Sequence, residues 1–368
     1  MESDFVVYAC ALSKVFAYKC AAGRRLMDAF GGVAKIFNAR REELDAVLPG
    51  GGDLVSQLKD PALLEWAWQE VEWARSHGVR LLALGSPGYP RRLADCDDAP
   101  LLLYCSGTAD PDAERVLAVV GTRKATWHGR EACRSLLGAL RELDPKPLIV
   151  SGMALGIDGC AHGAALENSL ETVGVLPCGP DEIYPRQHRE LALRILEHGA
   201  LVTDFARGTA PAAFTFLRRN RIIAGLADAT LLVESYRKGG GLITVSLANS
   251  YNRETFAVPG RISDVSFAGC NHLLSRQEAT AVVDTDTIPL ALGWMPALRG
   301  PAQKPLYRPG DPPRLREALR LLQERAPLTA DELATLMQIE GREASVLLLE
   351  LEMEGRAVAD GSNFFLTL

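Results

Sequence analysis

The sequence predicts an α/β protein built on an open, doubly wound parallel sheet. Three observations predict it. Seven short runs between residues 116 and 283 are apolar nearly throughout, as strands buried on both faces must be. Stretches of ten or more residues with helical patterning separate most of these runs, the alternation that builds parallel sheets. Glycine and polar residues gather just after the runs, at the strand ends where such sheets bind ligands.

In order, the runs are Val116–Val120, Pro147–Val150, Thr172–Leu176, Ala200–Thr203, Thr230–Val233, Thr255–Val258 and Ala281–Val283. This sheet region spans 86–295. A small helical domain precedes it over 1–85. There Asp60-Pro61 supplies a cap and a first-turn proline for a helix carrying Trp66, Ala67, Val71 and Ala74, and Gly78 stops it. Leu12 to Phe37 reads as two short helices around Gly23 and Gly31-Gly32. Residues 296–313 carry six prolines and form an extended linker. Residues 314–368 follow with three helices, the second opened by a Thr329/Glu332 capping box. A strand over Asn363–Leu368, behind a turn at Gly361, completes the pattern of a winged-helix domain.

The 368 residues are 48% hydrophobic and 23% charged, with a net charge of −6. That excludes a generally basic coat, so nucleic acid can be held only by a local basic patch. The eight cysteines form no C-x-x-C pair and read as free thiols of a reduced compartment. MESDFVVYAC lacks the basic start of a signal peptide, and no apolar run is long enough for a membrane helix. The expected location is the cytoplasm, with no membrane contact, no metal and no cofactor.

The chemistry is expected at the strand ends. The first run ends in Gly121-Thr122-Arg123, the second in Ser151-Gly152-Met153, the third in Cys178-Gly179 and the fourth in Asp204. The fifth leads to Gly239-Gly240-Gly241-Leu242-Ile243-Thr244, and the sixth to Pro259-Gly260. Glycine lets a ligand approach the backbone, and the first N–H groups of a following helix face a bound anion. Gly239–Gly241 and Ser151-Gly152 both fit that description. Neither G-x-G-x-x-G after the first run nor G-x-x-x-x-G-K-[ST] occurs, so no nucleotide motif supports a small cofactor. The phosphates of a polymer remain.

Between Phe205 and Gly240 there are six basic residues (Arg207, Arg218, Arg219, Arg221, Arg237 and Lys238) and two acidic ones. Arg123 and Lys124 join the same edge, and Trp127, Phe214, Phe216 and Tyr236 lie nearby. A basic groove with stacking surfaces suits single-stranded nucleic acid. Arg219 and Arg221 cannot share one helix face, so one of them braces the fold. Asp158 and His162 stand one helical turn apart. They could form a general-base pair or two metal ligands, but no third ligand is evident. A structural role is expected instead, with Asp158 capping or orienting a loop and His162 packed beneath. Residues 314–368 carry six basic and ten acidic residues, a balance that repels DNA and points to protein contact.

Six stretches carry a family resemblance: VVGTRKATWHG (119–129), VSGMALGIDGCAHGAAL (150–166), VLPCGPDEIYPRQHREL (175–191), FLRRNRIIAGLADATLLVES (216–235), GGGLITVSLANSYNRETFAVPG (239–260) and GCNHLL (269–274). With the lead-in 86–107 they resemble the DNA-processing protein A family, in order, over about 190 residues. The resemblance implies an extended Rossmann fold, with a sterile-alpha-motif-like helical domain before it and a winged helix after it. It implies a binding protein rather than an enzyme. Such a protein protects single-stranded DNA, dimerises through the Rossmann domain, and loads RecA recombinase in natural transformation and recombination. Carried over, Gly121, Arg123, Arg219, Asn220, Arg221, Gly240, Leu242 and Thr244 contact the strand, and Ser151, Gly152 and Met153 add backbone contacts. Lys124, Phe216 and Lys238 extend that site on their charge and ring.

Some positions depart from the family. Gly239-Gly240-Gly241 replaces the usual Ser-Gly-Ser, Leu217 a usual proline, and Gln277-Glu278-Ala279 a usual Gly-Ala turn. The alternative activity, a nucleoside-monophosphate phosphoribohydrolase on a related fold, needs a trailing carboxylate that Gly239–Thr244 lacks.

Overall fold

The computed structural model describes residues 2–295, 310–354, 356–360 and 362–366. They divide into two compact units, Met1–Trp294 and Met295–Leu368.

The first unit is organised by a nine-stranded sheet. Its strands are β1 (Val79–Ala83), β2 (Leu102–Gly107), β3 (Val116–Val120), β4 (Leu148–Ser151), β5 (Thr172–Val175), β6 (Gly199–Thr203), β7 (Ala229–Leu232), β8 (Glu254–Ala257) and β9 (Thr280–Ala281). Their spatial order is β1-β2-β6-β5-β4-β3-β7-β8-β9. The seven strands from β3 to β9 pair in parallel, as the apolar runs predict. β1 and β2 add an antiparallel edge that the sequence reading does not contain. The sheet therefore begins at Val79, inside the helical region drawn over 1–85.

Both faces of β3 are covered. Val116, Ala118 and Val120 join one apolar cluster, and Leu117 and Val119 join the other. All five residues are buried, and full burial of one such side chain is worth about 1.5–3 kcal/mol. The second cluster is closed by helices Trp127–Leu140 and Ile157–Glu167. At the β1 edge, helices Glu2–Phe16 and Pro61–Ser76 pack on the sheet through Val7, Ala11, Ala67 and Ala74. The Asp60 carboxylate accepts the Ala62 N–H at 3.0 Å, the cap read from Asp60-Pro61. Gly23 does not break a helix. It lies buried within Cys20–Phe30, where a Cβ would come 2.5 Å from Leu101.

Chain order reverses beside β3. Strands β4, β5 and β6 build away from it on one side, and the chain then crosses to lay β7 on the other. The carboxyl ends of β3 and β7 thus flank a topological switch point, where an open α/β sheet leaves a crevice. The turn at Gln277-Glu278-Ala279 persists without its glycine. Gln277 adopts φ +57, and the Glu278 N–H closes the turn on Leu273 O at 3.0 Å.

The second unit contains helices Pro313–Arg325, Ala330–Met337 and Gly341–Met353, then an antiparallel ribbon of β10 (Ala357–Asp360) and β11 (Asn363–Leu366). Thr329 and Glu332 form the expected capping box. Leu315, Leu319, Leu333, Leu348 and Leu351 share its core. Most of the proline-rich linker, 296–309, and the turn residue Gly361 lie outside the described residues.

Candidate nucleic-acid interface

A cleft of about 250 Å³ opens at the switch point. Three strand-end loops and one helix build it. The loop after β3 contributes Gly121, Thr122 and Arg123, and the loop after β4 contributes Ala154 and Asp158. The stretch after β7 contributes Gly239, Gly240, Gly241 and Thr244. Helix Ala213–Leu226 contributes Phe216, Leu217, Arg219, Asn220 and Ile223. The ends of β5, β6 and β8 do not line it, so the convergence is narrower than the sequence suggests.

The loops are tied to one another by backbone bonds. The Thr122 N–H donates to Glu234 O at 2.8 Å, joining the β3 and β7 turns. The fully buried Glu234 carboxylate accepts the Thr126 N–H at 2.9 Å. Gly121 and Gly241 allow the two turns to meet. A Cβ on Gly241 would sit 3.4 Å from the Gly121 Cα and 2.7 Å from Leu232.

Helix Gly240–Ser250 starts at the cleft with no side-chain cap. The N–H groups of Gly240 and Gly241 have no acceptor among the described residues, while the Leu242 N–H turns back to Gly239 O at 3.2 Å. Two donors at a helix N-terminus, without side chains over them, form an anion cradle. The second expected cradle is already occupied by protein. The Ile157 N–H donates to Thr122 O at 3.1 Å, and the Gly159 N–H donates to Ala154 O at 3.1 Å.

Cations frame the cleft. Arg123 is exposed, with its guanidinium 4.8 Å above the Phe216 ring. Phe216 stands edge-on to Tyr184 at 5.4 Å. Arg219 lies deeper, 3% exposed, its Nη1 donating to Val175 O at 3.1 Å. Its Nε has no partner among the described residues. Burial pulls the Arg219 guanidinium down to about 10, against the pull of Asp158, and Arg123 adds to the lowering. It remains a cation at neutral pH. Gly152 makes room for it, since a Cβ there would fall 1.7 Å from Nη1.

Asp158 is the carboxylate of the cleft. Burial raises its pKa, while Arg219 and the Ala154 N–H, which it accepts at 3.2 Å, oppose the shift. It orients the 152–156 loop. His162, wholly buried, donates Nδ1–H to Thr172 Oγ1 at 2.7 Å, because the Thr172 hydroxyl is committed to Ile149 O. Burial pushes its pKa down to about 3, and His188 and Arg219 add to the shift, so it stays neutral. Both residues serve the framework, the role expected of them in the absence of a third ligand.

Other expected contacts stand apart from the cleft. The Ser151 hydroxyl is buried and bonds Val119 O at 2.6 Å. The Met153 side chain packs into the cluster with Leu176 and Ile195. His188 Nδ1 meets the Met153 carbonyl at 2.8 Å. Leu242 packs against the core. Lys124 and Lys238 are exposed on the β3 and β7 turns, without ion-pair partners among the described residues.

Arg221 is the bracing arginine. Its Nη2 pairs with Asp204 and its Nη1 donates to Asp98 O. Burial works against its charge, yet Asp204 holds its pKa above the usual value. Arg218 also reaches Asp204, at 3.3 Å, and Arg207 pairs with the buried Glu70 at 3.1 Å. The excess of positive charge between Phe205 and Gly240 is thus smaller than it reads. Its acidic partners lie at Asp204 and Glu70, outside that window. Sequence reasoning passed over Glu234, Tyr184 and His188, which hold the turns and the stacked ring. The stretch 175–191 contains the last two.

A model for the family of DNA recombination-mediator protein A matches residues 80–292. The chain is 35% identical over 307 residues to the putative DNA processing protein DprA of Mycobacterium tuberculosis, covering 80% of this chain and 77% of the relative. Protein Smf of Escherichia coli is 37% identical over 229 residues, covering 61% and 60%. The crystal structure of DNA processing protein A from Streptococcus pneumoniae superposes with a TM-score of 0.65 at 27% identity, covering 77% of this chain and 97% of that one. A second solved structure, from Helicobacter pylori, has a TM-score of 0.52 at 27% identity over 58% of this chain and 95% of that one. It is described for that protein's single-stranded DNA binding mode. Among the described residues, no group of three His, Cys, Asp or Glu side chains is placed to hold a metal. No described helix is long and apolar enough to cross a membrane.

Proposed function

The chain belongs to the DNA recombination-mediator protein A family, and from that premise we propose that it binds single-stranded DNA in the switch-point cleft. Bound strand is protected there and passed to RecA recombinase, in natural transformation and homologous recombination. The protein works in the cytoplasm as a homodimer joined through the sheet-bearing unit, and it is a binding protein rather than an enzyme.

One observation carries the reading. Gly240 and Gly241, whose N–H groups have no acceptor among the described residues, line the same cleft as Arg123 and Arg219. Backbone donors and guanidinium groups at one place are a phosphate site. Asn220 and Thr244 supply further polar groups, Gly121 lets the β3 and β7 turns close on each other, Gly152 seats Arg219, and Phe216 offers its ring to a base. Lys124 and Lys238 attract the strand from the rim. Ser151, Met153, Leu242 and Arg221 hold the geometry. The acidic second unit contacts protein.

The test is fluorescence anisotropy of a labelled oligo(dT) of about 35 nucleotides across a salt series, with matched duplex as competitor. Salt-sensitive binding that duplex fails to displace supports the reading. Absence of binding at low salt contradicts it. Base release from AMP by the purified protein would revive the phosphoribohydrolase alternative.

A further inference from the structure

Helix Gly341–Met353 is apolar on two faces. One face belongs to its own core through Ala344, Leu348 and Leu351, all below 1% exposed. The other carries Val346, Leu349 and Met353, which are 58%, 55% and 82% exposed. The spacing i, i+3, i+7 lines these three along one stripe. A surface helix needs only one apolar face to hold its domain together, and a second one marks a contact.

The charges beside the stripe identify the occupant. Glu350 lies on one flank and Glu352 on the other, both exposed. Glu343 extends the first flank, paired with Arg314. Arg342, exposed one turn before Val346, is the one cation on this helix, and Glu350 and Glu352 outnumber it beside the stripe, so nucleic acid and anionic lipid surfaces are repelled by this rim. A second copy meeting stripe to stripe would bring the same glutamates together, so self-association is opposed as well.

We infer that Val346, Leu349 and Met353 form a docking stripe for a basic amphipathic helix of a partner protein, its apolar side on the stripe and its Lys or Arg residues against Glu350 and Glu352. Helix-on-helix recognition of this kind is read by anchors at such spacing. The inference deepens the protein-contact reading of the second unit. It does not depend on the strand cleft.

The test uses the full chain and two synthetic 18-residue helical peptides with the same leucine face, one flanked by lysines and one by glutamates. Anisotropy should show binding of the lysine peptide at least tenfold tighter than the glutamate peptide. Leu349→Ser with Met353→Ser should weaken it tenfold or more, and both positions are exposed, so folding is retained. Glu350→Lys with Glu352→Lys should reverse the preference. Oligo(dT) binding should stay unchanged in every variant. Equal binding of both peptides, or binding indifferent to these substitutions, overturns the docking stripe while leaving protein contact elsewhere on the unit open. Cross-linking of oligonucleotide to 341–353 overturns the protein-contact reading itself. A parent protein that self-associates in sedimentation, and is dispersed by the serine variant, assigns the stripe to a second copy.

Discussion

Arg219 and Arg221 lie two residues apart on one helix, and replacing each with methionine should produce opposite phenotypes. Arg221 is held in a buried pair, with side-chain exposures of 7% and 3% for it and Asp204. Removing one partner of such a pair costs about 3–5 kcal/mol, because the other charge stays buried. Arg218 still reaches Asp204 at 3.3 Å, which puts Arg221→Met near the lower end, about 3 kcal/mol. With a urea dependence of about 3 kcal/mol per molar, the midpoint should fall by about 1 M. Arg219→Met loses a hydrogen bond to Val175 O and the charge facing buried Asp158, but also removes a buried cation whose Nε is unpartnered. Asp158, whose pKa burial already raises, takes up a proton more readily without Arg219, so the stability lost should be smaller than for Arg221→Met, about 1–2 kcal/mol. Strand binding should divide the other way. Arg219→Met loses a charge-assisted phosphate contact worth about 1.5–3 kcal/mol, and its salt slope should shrink by about 0.7. Arg221→Met, measured well below its unfolding midpoint, should bind like the parent. Urea unfolding and oligo(dT) anisotropy on the same preparations decide the matter. An Arg219→Met protein with full affinity, or a folded Arg221→Met protein that has lost binding, would refute the division.

Gly152→Ala places a Cβ 1.7 Å from Arg219 Nη1, so the guanidinium must leave its seat; oligo(dT) affinity should drop about tenfold or more by anisotropy, with the far-ultraviolet spectrum retained. His162 has a folded pKa of about 3, below its unfolded value near 6.5. The unfolded chain therefore takes up the proton first, and stability is lost as pH falls below about 6.5, at a slope approaching about 1.4 kcal/mol per pH unit. His162→Gln should show a shallower loss in urea unfolding between about pH 6.5 and 4.5. Cys160 is half-buried, and a hydrogen bond from Cys133, with help from Arg134 and Arg130, lowers its pKa despite burial. Iodoacetamide should modify Cys160 before the other seven cysteines, as peptide mass mapping will show.

What could be read from the sequence follows from how local each cause is. A run such as Val116–Val120 announces burial on both faces, because every residue in it is apolar. The caps at Asp60 and Thr329 depend on neighbours two or three residues away. β1 and β2 were missed because they join the sheet as an antiparallel edge outside the alternation of strand and helix. Strand order is a matter of distant pairing, and without the β3–β7 contact the switch point has no address. The arginines show the same limit. Periodicity separates Arg219 from Arg221 but does not say which faces the cleft. That is decided by Asp204, seventeen residues from Arg221, and by Gly152, sixty-seven residues from Arg219. A charge count taken over a window misses such partners.

Hydrogen exchange with and without saturating oligo(dT) tests the strand-cleft assignment most directly. The account predicts slowed exchange in peptides covering 119–127, 216–221 and 236–244, which supply the turn, the arginine helix and the glycine cradle. Peptides from 341–353 should be unchanged. Protection centred on the second unit, with none at Gly240 and Gly241, would contradict it.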